Sequence, residues 1–209
     1  MYMICRYFNE AYLMPIKKMN VKDFVKAISI EIGEDKKYLE LWDCIPFELY
    51  RSHKKTDEYD FNDGKIIFIF RNPFDTILST QDYYGRKDLP FLSNWIDYMN
   101  SWADKIRSED VLVIQYENLL FYRRWELIKI LTFIESRVKY NAMDIVVRET
   151  EISEMRKEVD APKIIRHGTI WRSKLCFDEG FMNEIESECE ERLDSKIKRK
   201  FGPWLKYPK

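Results

Sequence analysis

The sequence is poor in glycine and proline, and it has no long apolar run. Six glycines and seven prolines among 209 residues differ from the composition of a disordered or fibrous chain. No apolar run approaches the roughly 18 residues of a membrane-spanning helix. The opening stretch carries Arg6 and Glu10 among its apolar residues, unlike a secretory signal peptide. We therefore expect a globular, soluble, cytoplasmic protein without a membrane span.

The chain also lacks an excess of charge and a metal-binding pattern. Lysine and arginine total 35 and aspartate and glutamate total 36, so no global field attracts nucleic acid, and any anion site must be local. The cysteines form no CxxC pair, which indicates neither a zinc site nor a disulfide framework. We expect no metal and no nucleic-acid partner, and four reduced cysteines that mostly pack: Cys5, Cys44, Cys176 and Cys189.

Two short apolar runs, rich in β-branched and aromatic residues, lie on either side of a helical segment. KIIFIF at 65–70 and VLVIQY at 111–116 have the pattern of strands covered on both faces in a parallel sheet. The segment between them, which contains Trp95 and Trp102, has helical character. The order strand, helix, strand predicts an α/β fold with a parallel sheet. The length favours one domain over residues 1–209.

Helical patterns flank this unit on both sides. Residues 1–50 are aromatic-rich and helical, most simply a packing layer, and residues 51–64 are polar and predict a loop. Helical periodicity also dominates from residue 121 onward. The closing stretch FMNEIESECEERLDSKIKRKFG predicts one amphipathic helix that ends near Gly202 and Pro203.

The stretch RNPFD has the features of a junction between a strand and a helix. Asn72 can cap a helix, Pro73 suits its first position, and Asp75 falls where the helix dipole favours an acid. Arg71 would then lie at the carboxyl end of a parallel strand, where α/β sheets bind ligands and helix N-termini attract anions. Ser79, two turns further on, is a candidate hydroxyl partner for the same anion. The junction alone leaves open that Arg71 merely pairs with an acid such as Asp75 and that Ser79 is a small packing residue.

The segment RNPFDTILS resembles the R-N-P-x-D-x-x-x-S motif of the sulfotransferases that use 3′-phosphoadenosine 5′-phosphosulfate, PAPS, as sulfuryl donor. In that family the arginine and the serine bind the 3′-phosphate of the nucleotide. The resemblance therefore implies that Arg71 and Ser79 hold this phosphate. It also implies a P-loop-NTPase-like parallel sheet flanked by helices.

Two further segments follow in family order. VLVIQYENLL is similar to the family strand V-L-x-x-x-Y-E-D-L, whose tyrosine lies near the adenine, so the resemblance gives Tyr116 that role. Asn118 replaces the usual acid, and core packing of Tyr116 stays an open alternative. ISEMRKEVD, at 152–160, is similar to the stretch F-x-x-M-R-x-x-E.

The basic turn IRHGTIWRSKL resembles the family's second 3′-phosphate clamp, R-K-G-x-x-G-x-W-K/R. The resemblance implies that Arg166, His167 and Gly168 bind the phosphate, with histidine in place of lysine. A guanidinium suits a phosphate, and glycine lets backbone amides approach it closely. Two residues of the family pattern are missing before Trp171, and an ordinary surface turn is the alternative.

His53, in YRSHKK, precedes Arg71 by eighteen residues. Relatives carry K-T-H or K-S-H upstream of the same strand, with the histidine as general base, so the resemblance makes His53 the catalytic candidate. Arg51 replaces the lysine. An imidazole, with an unperturbed pKa of roughly 6.5, can take the proton of an attacking hydroxyl near neutral pH. A solvated loop histidine without a role is the alternative.

The family's opening phosphate loop, of the form P-K-S-G-T-T-W, has no counterpart here. Residues 1–50 contain one glycine, Gly33, and the acids that follow it would repel an anion. The resemblance is clearest over residues 45–209. We therefore expect a chain that begins inside the family domain, after this loop.

These features predict a sulfotransferase that moves a sulfuryl group from PAPS to a hydroxyl or amine of a small-molecule or glycan acceptor. Without the loop that holds the 5′-phosphosulfate, the chain is expected to be weak or inactive. The alternative is a noncatalytic remnant of the fold that binds a nucleotide or a partner. A kinase is not favoured, because no GxxxxGK[ST] motif occurs.

Overall fold

A computed structural model of the chain describes residues 55–58, 64–85, 90–134, 138–155, 157 and 169–206. By their contacts these residues fall into two compact units. The sheet unit contains the described residues up to Leu119 and those from Thr169 onward. The helical unit contains those between Leu120 and Gly168. The single domain expected from the sequence stays a prediction.

The sheet unit is built on two strands that pair in parallel within the described residues. The register joins Ile66 to Val111 and Phe70 to Gln115. The elements in chain order are β1 (Ile66–Phe70), α1 (Pro73–Tyr84), α2 (Pro90–Ser101), a 3₁₀ turn (Lys105–Arg107) and β2 (Val111–Gln115). This confirms the predicted order of strand, helix and strand, and with it the α/β class. Tyr116 departs from the prediction, because it begins a helix instead of ending the strand.

One face of the two strands carries the hydrophobic core of the sheet unit. Phe68 and Phe70 are buried there, and the Phe70 ring stacks on Phe201 with centroids 4.0 Å apart. The expectation that both faces are covered is wrong at Ile69, which is 48% exposed. Alternation of side chains along a strand places Ile69 on the opposite face from its two buried neighbours.

The carboxyl-terminal part of the sheet unit is helical. It contains α7 (Ser173–Cys176), α8 (Glu179–Arg192), α9 (Ser195–Phe201) and a 3₁₀ turn (Gly202–Trp204). The single closing helix expected from the sequence is therefore wrong. Leu193 is extended and buried, and the Asp194 carboxylate accepts a hydrogen bond from the Lys196 amide at 2.7 Å. A short polar side chain that caps the next helix offers the backbone an alternative to continuing the first one.

The helical unit follows β2. Its helices are α3 (Tyr116–Phe121), which starts in the sheet unit, α4 (Arg123–Phe133), α5 (Tyr140–Glu149) and α6 (Ile152–Met155). This confirms the helical periodicity seen from residue 121. Leu127 and Leu131 of α4 and Met143 of α5 are fully buried. Arg124 and Asp144 form an exposed ion pair of 2.6 Å between the two helices, and such pairs add little stability.

Two cysteines lie among the described residues, and both are free thiols. Cys189 is buried, and burial raises the pKa of its thiol to about 12, so it stays protonated and packs as the sequence predicts. Cys176 is exposed, contrary to the packing role expected for most of the cysteines. Burial also raises the pKa of Tyr98 to about 12. No helix in the described ranges combines the length and the hydropathy needed to cross a membrane.

Gly85 ends α1 in the left-handed conformation, with φ 67° and ψ 23°, and its amide donates to the Gln81 carbonyl at 2.8 Å. We expect Gly85→Ala to lower the free energy of unfolding by about 1 kcal/mol, because a Cβ atom disfavours this conformation. Apart from its chain neighbours and the backbone of α1, no described residue places a heavy atom within 4 Å of the added Cβ, so the cost is conformational.

Gly202 is the matched control for this prediction. It has φ −44° and ψ −45°, and it also leaves open space for a Cβ. Gly202→Ala should raise the free energy of unfolding by about 0.5 kcal/mol by restricting the unfolded chain. Urea unfolding of both variants measures the two effects, and shifts of the same sign would contradict the conformational account.

Candidate functional site

The junction between β1 and α1 is built as its sequence predicts. Asn72 is the N-cap of α1, and its side-chain oxygen accepts a hydrogen bond from the Asp75 amide at 2.8 Å. Pro73 occupies the first helical position, and Asp75 lies in the first turn. Each of these local expectations is confirmed.

Arg71 lies at the carboxyl end of β1 against an aromatic ring. Its guanidinium carbon is 4.6 Å from the centroid of the Tyr116 ring, a cation–π contact. The Nε atom is buried and has no hydrogen-bond partner among the residues that the structure describes. The structure thus brings two predicted site residues together and leaves a buried arginine donor unsatisfied.

The Asp75 carboxylate accepts its hydrogen bonds from groups other than Arg71. Its carboxylate, 1% exposed, accepts from the Trp171 amide at 2.6 Å, the Ser173 amide at 3.0 Å and the Asn72 side-chain amide at 3.2 Å. No ion pair between Arg71 and Asp75 occurs within the described ranges. Asp75 is therefore not the partner of Arg71, while the alternative of an ion pair with another acid stays open.

Glu117 connects the same junction to the carboxyl end of β2. Its Oε1 atom accepts from the backbone amide of Asn72 at 3.2 Å and from the Asn72 side-chain amide at 2.7 Å. Glu117 is 1% exposed, and its Oε2 atom finds no partner in the described part of the chain. Asn72, Asp75 and Glu117 form a continuous hydrogen-bonded group, called here the buried network.

The sequence analysis missed this network, although its residues stand in the quoted motifs. Asn72 and Asp75 received only roles at the start of the helix, and Glu117 received none. The motifs themselves contained a signal. The resemblance gives no ligand to the asparagine and aspartate of R-N-P-x-D or to the glutamate of Y-E-D. Polar motif residues that lie at the end of a strand and bind no ligand predict buried hydrogen bonds that stabilise the fold.

Ser79 lies on the exposed face of α1. Its neighbours Thr76 and Thr80 donate their hydroxyls to helix carbonyls, those of Asn72 at 2.7 Å and Thr76 at 2.8 Å. Within the described ranges, the Ser79 hydroxyl makes no such bond. The packing alternative for Ser79 is wrong, and its hydroxyl is accessible.

The predicted residues His53, Arg166, His167 and Gly168 lie outside the described residues. The structure describes the chain again from Thr169, which lies within the basic turn and follows Gly168 directly. Trp171 has φ 56°, in the left-handed region that is uncommon for residues other than glycine. Its indole stacks on Trp204 with centroids 6.3 Å apart and planes 6° apart, and Arg172 pairs with Asp82 at 2.6 Å.

Comparison with curated proteins finds sulfotransferases, while no protein-family model matches the chain. Sulfotransferase 1E1 of Mus musculus is 22% identical over 157 residues, which cover 74% of this chain and 52% of that protein. Amine sulfotransferase of Oryctolagus cuniculus is 25% identical over 113 residues, 46% of this chain and 38% of that protein. The chain spans about half, or less, of the length of these relatives.

Solved structures with the same fold include mouse sulfotransferase SULT7A1 complexed with PAP. The TM-score is 0.58 at 24% identity, covering 68% of this chain and 62% of that one. A second is retinol dehydratase in complex with androsterone and inactive cofactor PAP, with a TM-score of 0.51 at 15% identity over 63% of this chain and 48% of that one. The chain therefore shares the fold of these sulfotransferase structures over the matched part.

The charged and polar groups at the junction between β1 and α1 fit an anionic ligand. Arg71 presents a buried donor that lacks a partner among the described residues, and a guanidinium binds phosphate oxygens in a forked geometry. The accessible Ser79 hydroxyl follows on the helix that starts beside this arginine. A group of three or more histidine, cysteine, aspartate or glutamate side chains that could hold a metal ion does not occur in the described ranges.

Proposed function

We propose that the chain binds an adenine nucleotide that carries a 3′-phosphate, and that its donor is PAPS. The observation that carries this proposal is the unsatisfied Nε of Arg71 at the carboxyl end of β1, beside an Asp75 that is bound elsewhere. Arg71 and Ser79 are proposed as ligands of the 3′-phosphate. The two similar solved structures are complexes with PAP, which supports the same ligand class here.

Further residues are proposed from the family resemblance. Arg166, His167 and Gly168 would contribute to the same phosphate site, and Tyr116 would lie near the adenine. The contact between Tyr116 and Arg71 supports a shared role for these two residues, because the ring restricts the guanidinium on one face.

For the complete protein we propose transfer of a sulfuryl group to a hydroxyl or amine of a small-molecule or glycan acceptor. PAPS would supply the sulfuryl group, and breakage of its bond from sulfur to the 5′-phosphate oxygen would release adenosine 3′,5′-bisphosphate. His53 would accept the proton of the acceptor as its oxygen or nitrogen attacks, and Arg71 would hold the nucleotide in line for the attack. Because the chain spans about half the length of its relatives, nucleotide binding and sulfuryl transfer are separate tests.

Binding is tested by thermal unfolding with increasing adenosine 3′,5′-bisphosphate. At a hundredfold excess over Kd the ligand stabilises the folded state by about 2.7 kcal/mol, which raises the Tm of a chain of this size by about 5–10 °C. Adenosine 5′-phosphate, which lacks the 3′-phosphate, is the matched ligand and should raise Tm much less. Equal shifts with the two ligands, or none at millimolar bisphosphate, would contradict the proposal.

Transfer is tested with PAPS that carries labelled sulfate and a panel of phenols, alcohols, amines and sugars. Turnover that His53→Ala abolishes would support the enzyme. Retained bisphosphate binding without turnover would favour the noncatalytic nucleotide-binding remnant.

A further inference from the structure

Trp171, in the basic turn and three residues after Gly168, holds an unfavourable backbone conformation. A left-handed residue with a side chain costs about 1–2 kcal/mol, so the surroundings must hold it. The Trp171 amide donates to Asp75 at 2.6 Å, and its indole lies between Phe74 and Trp204, with centroids 6.0 and 6.3 Å away. Contacts of both the main chain and the side chain of Trp171 therefore stabilise this conformation.

Asp75 contacts this segment through backbone donors. The Trp171 amide reaches Oδ2 and the Ser173 amide reaches Oδ1, so each carboxylate oxygen takes one main-chain N–H. Such bonds fix the path of the chain whatever side chains it carries. A buried ionised carboxylate with charge-assisted bonds holds its donors more firmly than a neutral group. Asp75 thus determines where the chain runs three residues beyond Gly168.

At its other end the buried network adjoins Arg71 and Tyr116, the two site residues that contact each other. Asn72 follows Arg71, and Glu117 follows Tyr116, and these two network residues are joined by hydrogen bonds of 2.7 and 3.2 Å. The backbone positions of Arg71 and Tyr116 are therefore set by their immediate neighbours. Asn72 also donates to the Asp75 carboxylate. The contact between Arg71 and Tyr116 and the segment 171–173 therefore depend on the same carboxylate.

We propose that Asp75 is a positioning residue for recognition of the 3′-phosphate. It binds no ligand itself. It holds the backbone of the basic turn at Trp171 and Ser173, and it holds the Asn72 side chain that orders Arg71 and Tyr116. The inference rests on the proposed function, since it concerns the same phosphate site. It predicts that Asp75 matters for the 3′-phosphate and little for the rest of the nucleotide.

The test is Asp75→Asn, which keeps the shape of the side chain. An amide offers one oxygen, and its NH₂ group faces a backbone N–H, so one of the two main-chain bonds is lost. We expect Kd for adenosine 3′,5′-bisphosphate to rise about tenfold, and Kd for adenosine 5′-phosphate to change less than twofold. The ratio of these constants, measured by calorimetric titration, is not altered by a loss of folded protein.

Asp178→Asn is the matched control. Asp178 is exposed and caps α8 by accepting from the Phe181 amide at 2.8 Å, a role that asparagine also performs. The control should leave the ratio unchanged. An equal loss of affinity for both nucleotides in Asp75→Asn would overturn the positioning role alone, while no bisphosphate binding by the unsubstituted chain would overturn both proposals.

Hydrogen exchange of the unsubstituted chain tests the same inference if Asp75→Asn does not fold. The Trp171 and Ser173 amides should be protected without ligand, and adenosine 3′,5′-bisphosphate should slow their exchange more than adenosine 5′-phosphate does. Exchange of both amides at the rate of an unfolded peptide would overturn the positioning role.

Discussion

Arg71→Ala is expected to weaken the binding of adenosine 3′,5′-bisphosphate by about a hundredfold. Each hydrogen bond to a charged group contributes about 1.5–3 kcal/mol, and a hundredfold change corresponds to about 2.7 kcal/mol. Stability should fall by less than about 1 kcal/mol, because the described contact of the guanidinium is the cation–π contact with Tyr116. Calorimetric titration of the folded variant separates the two effects.

Two further variants test whether the effect is specific to Arg71 and to its guanidinium group. Arg107, an exposed arginine of the sheet unit, provides the control, and Arg107→Ala should change Kd less than twofold. Arg71→Lys should recover part of the lost affinity, because lysine keeps the charge and loses the forked geometry. Binding by Arg71→Ala within threefold of the unsubstituted chain would remove Arg71 from the site.

Asn72→Asp is expected to lower the free energy of unfolding by about 3 kcal/mol or more at neutral pH. As an N-cap, aspartate serves as well as asparagine, so helix capping alone predicts almost no change. The Asn72 side-chain amide, however, donates to both Glu117 and Asp75. The substitution removes that donor and places a third carboxylate among two that are buried. Urea unfolding measures the loss.

Asp194 provides the control for this substitution because its backbone matches that of Asn72. The two caps have φ −56°, ψ 143° and φ −55°, ψ 145°, and each side chain accepts from an amide in the first turn. Asp194→Asn should change the free energy of unfolding by less than about 0.5 kcal/mol. A similarly small effect of Asn72→Asp would show that the buried network adds little beyond the cap.

The junction at Arg71 could be predicted because each of its rules is local. A cap, a proline and an acid within four positions specify where a helix begins, and apolar runs specify the two strands. The partners of Asp75 could not be predicted in this way, because they lie 96 and 98 residues away in the chain. Glu117 lies 45 residues from Asn72. No local pattern distinguishes an aspartate that stabilises a helix dipole from one that also binds a distant backbone.

The break between α8 and α9 is a second feature that local sequence patterns could not predict. Apolar residues keep a helical spacing through Leu193, so periodicity alone predicts continuation. The capping of α9 by Asp194, and the hydrogen bond from the Asp194 amide to the Asn100 side chain at 2.8 Å, stabilise the break. The second of these partners comes from α2, which periodicity cannot reveal. For His53, Arg166, His167 and Gly168 the resemblance remains the support, and they stay predictions.

The near-parallel stack of Trp171 on Trp204 gives the described part of the basic turn an optical signal. Rigidly packed aromatic rings produce near-ultraviolet circular dichroism, which disappears when fixed packing is lost. Ordering or loosening of this segment can therefore be followed in the unlabelled protein, by a method that responds to the geometry of the two indoles.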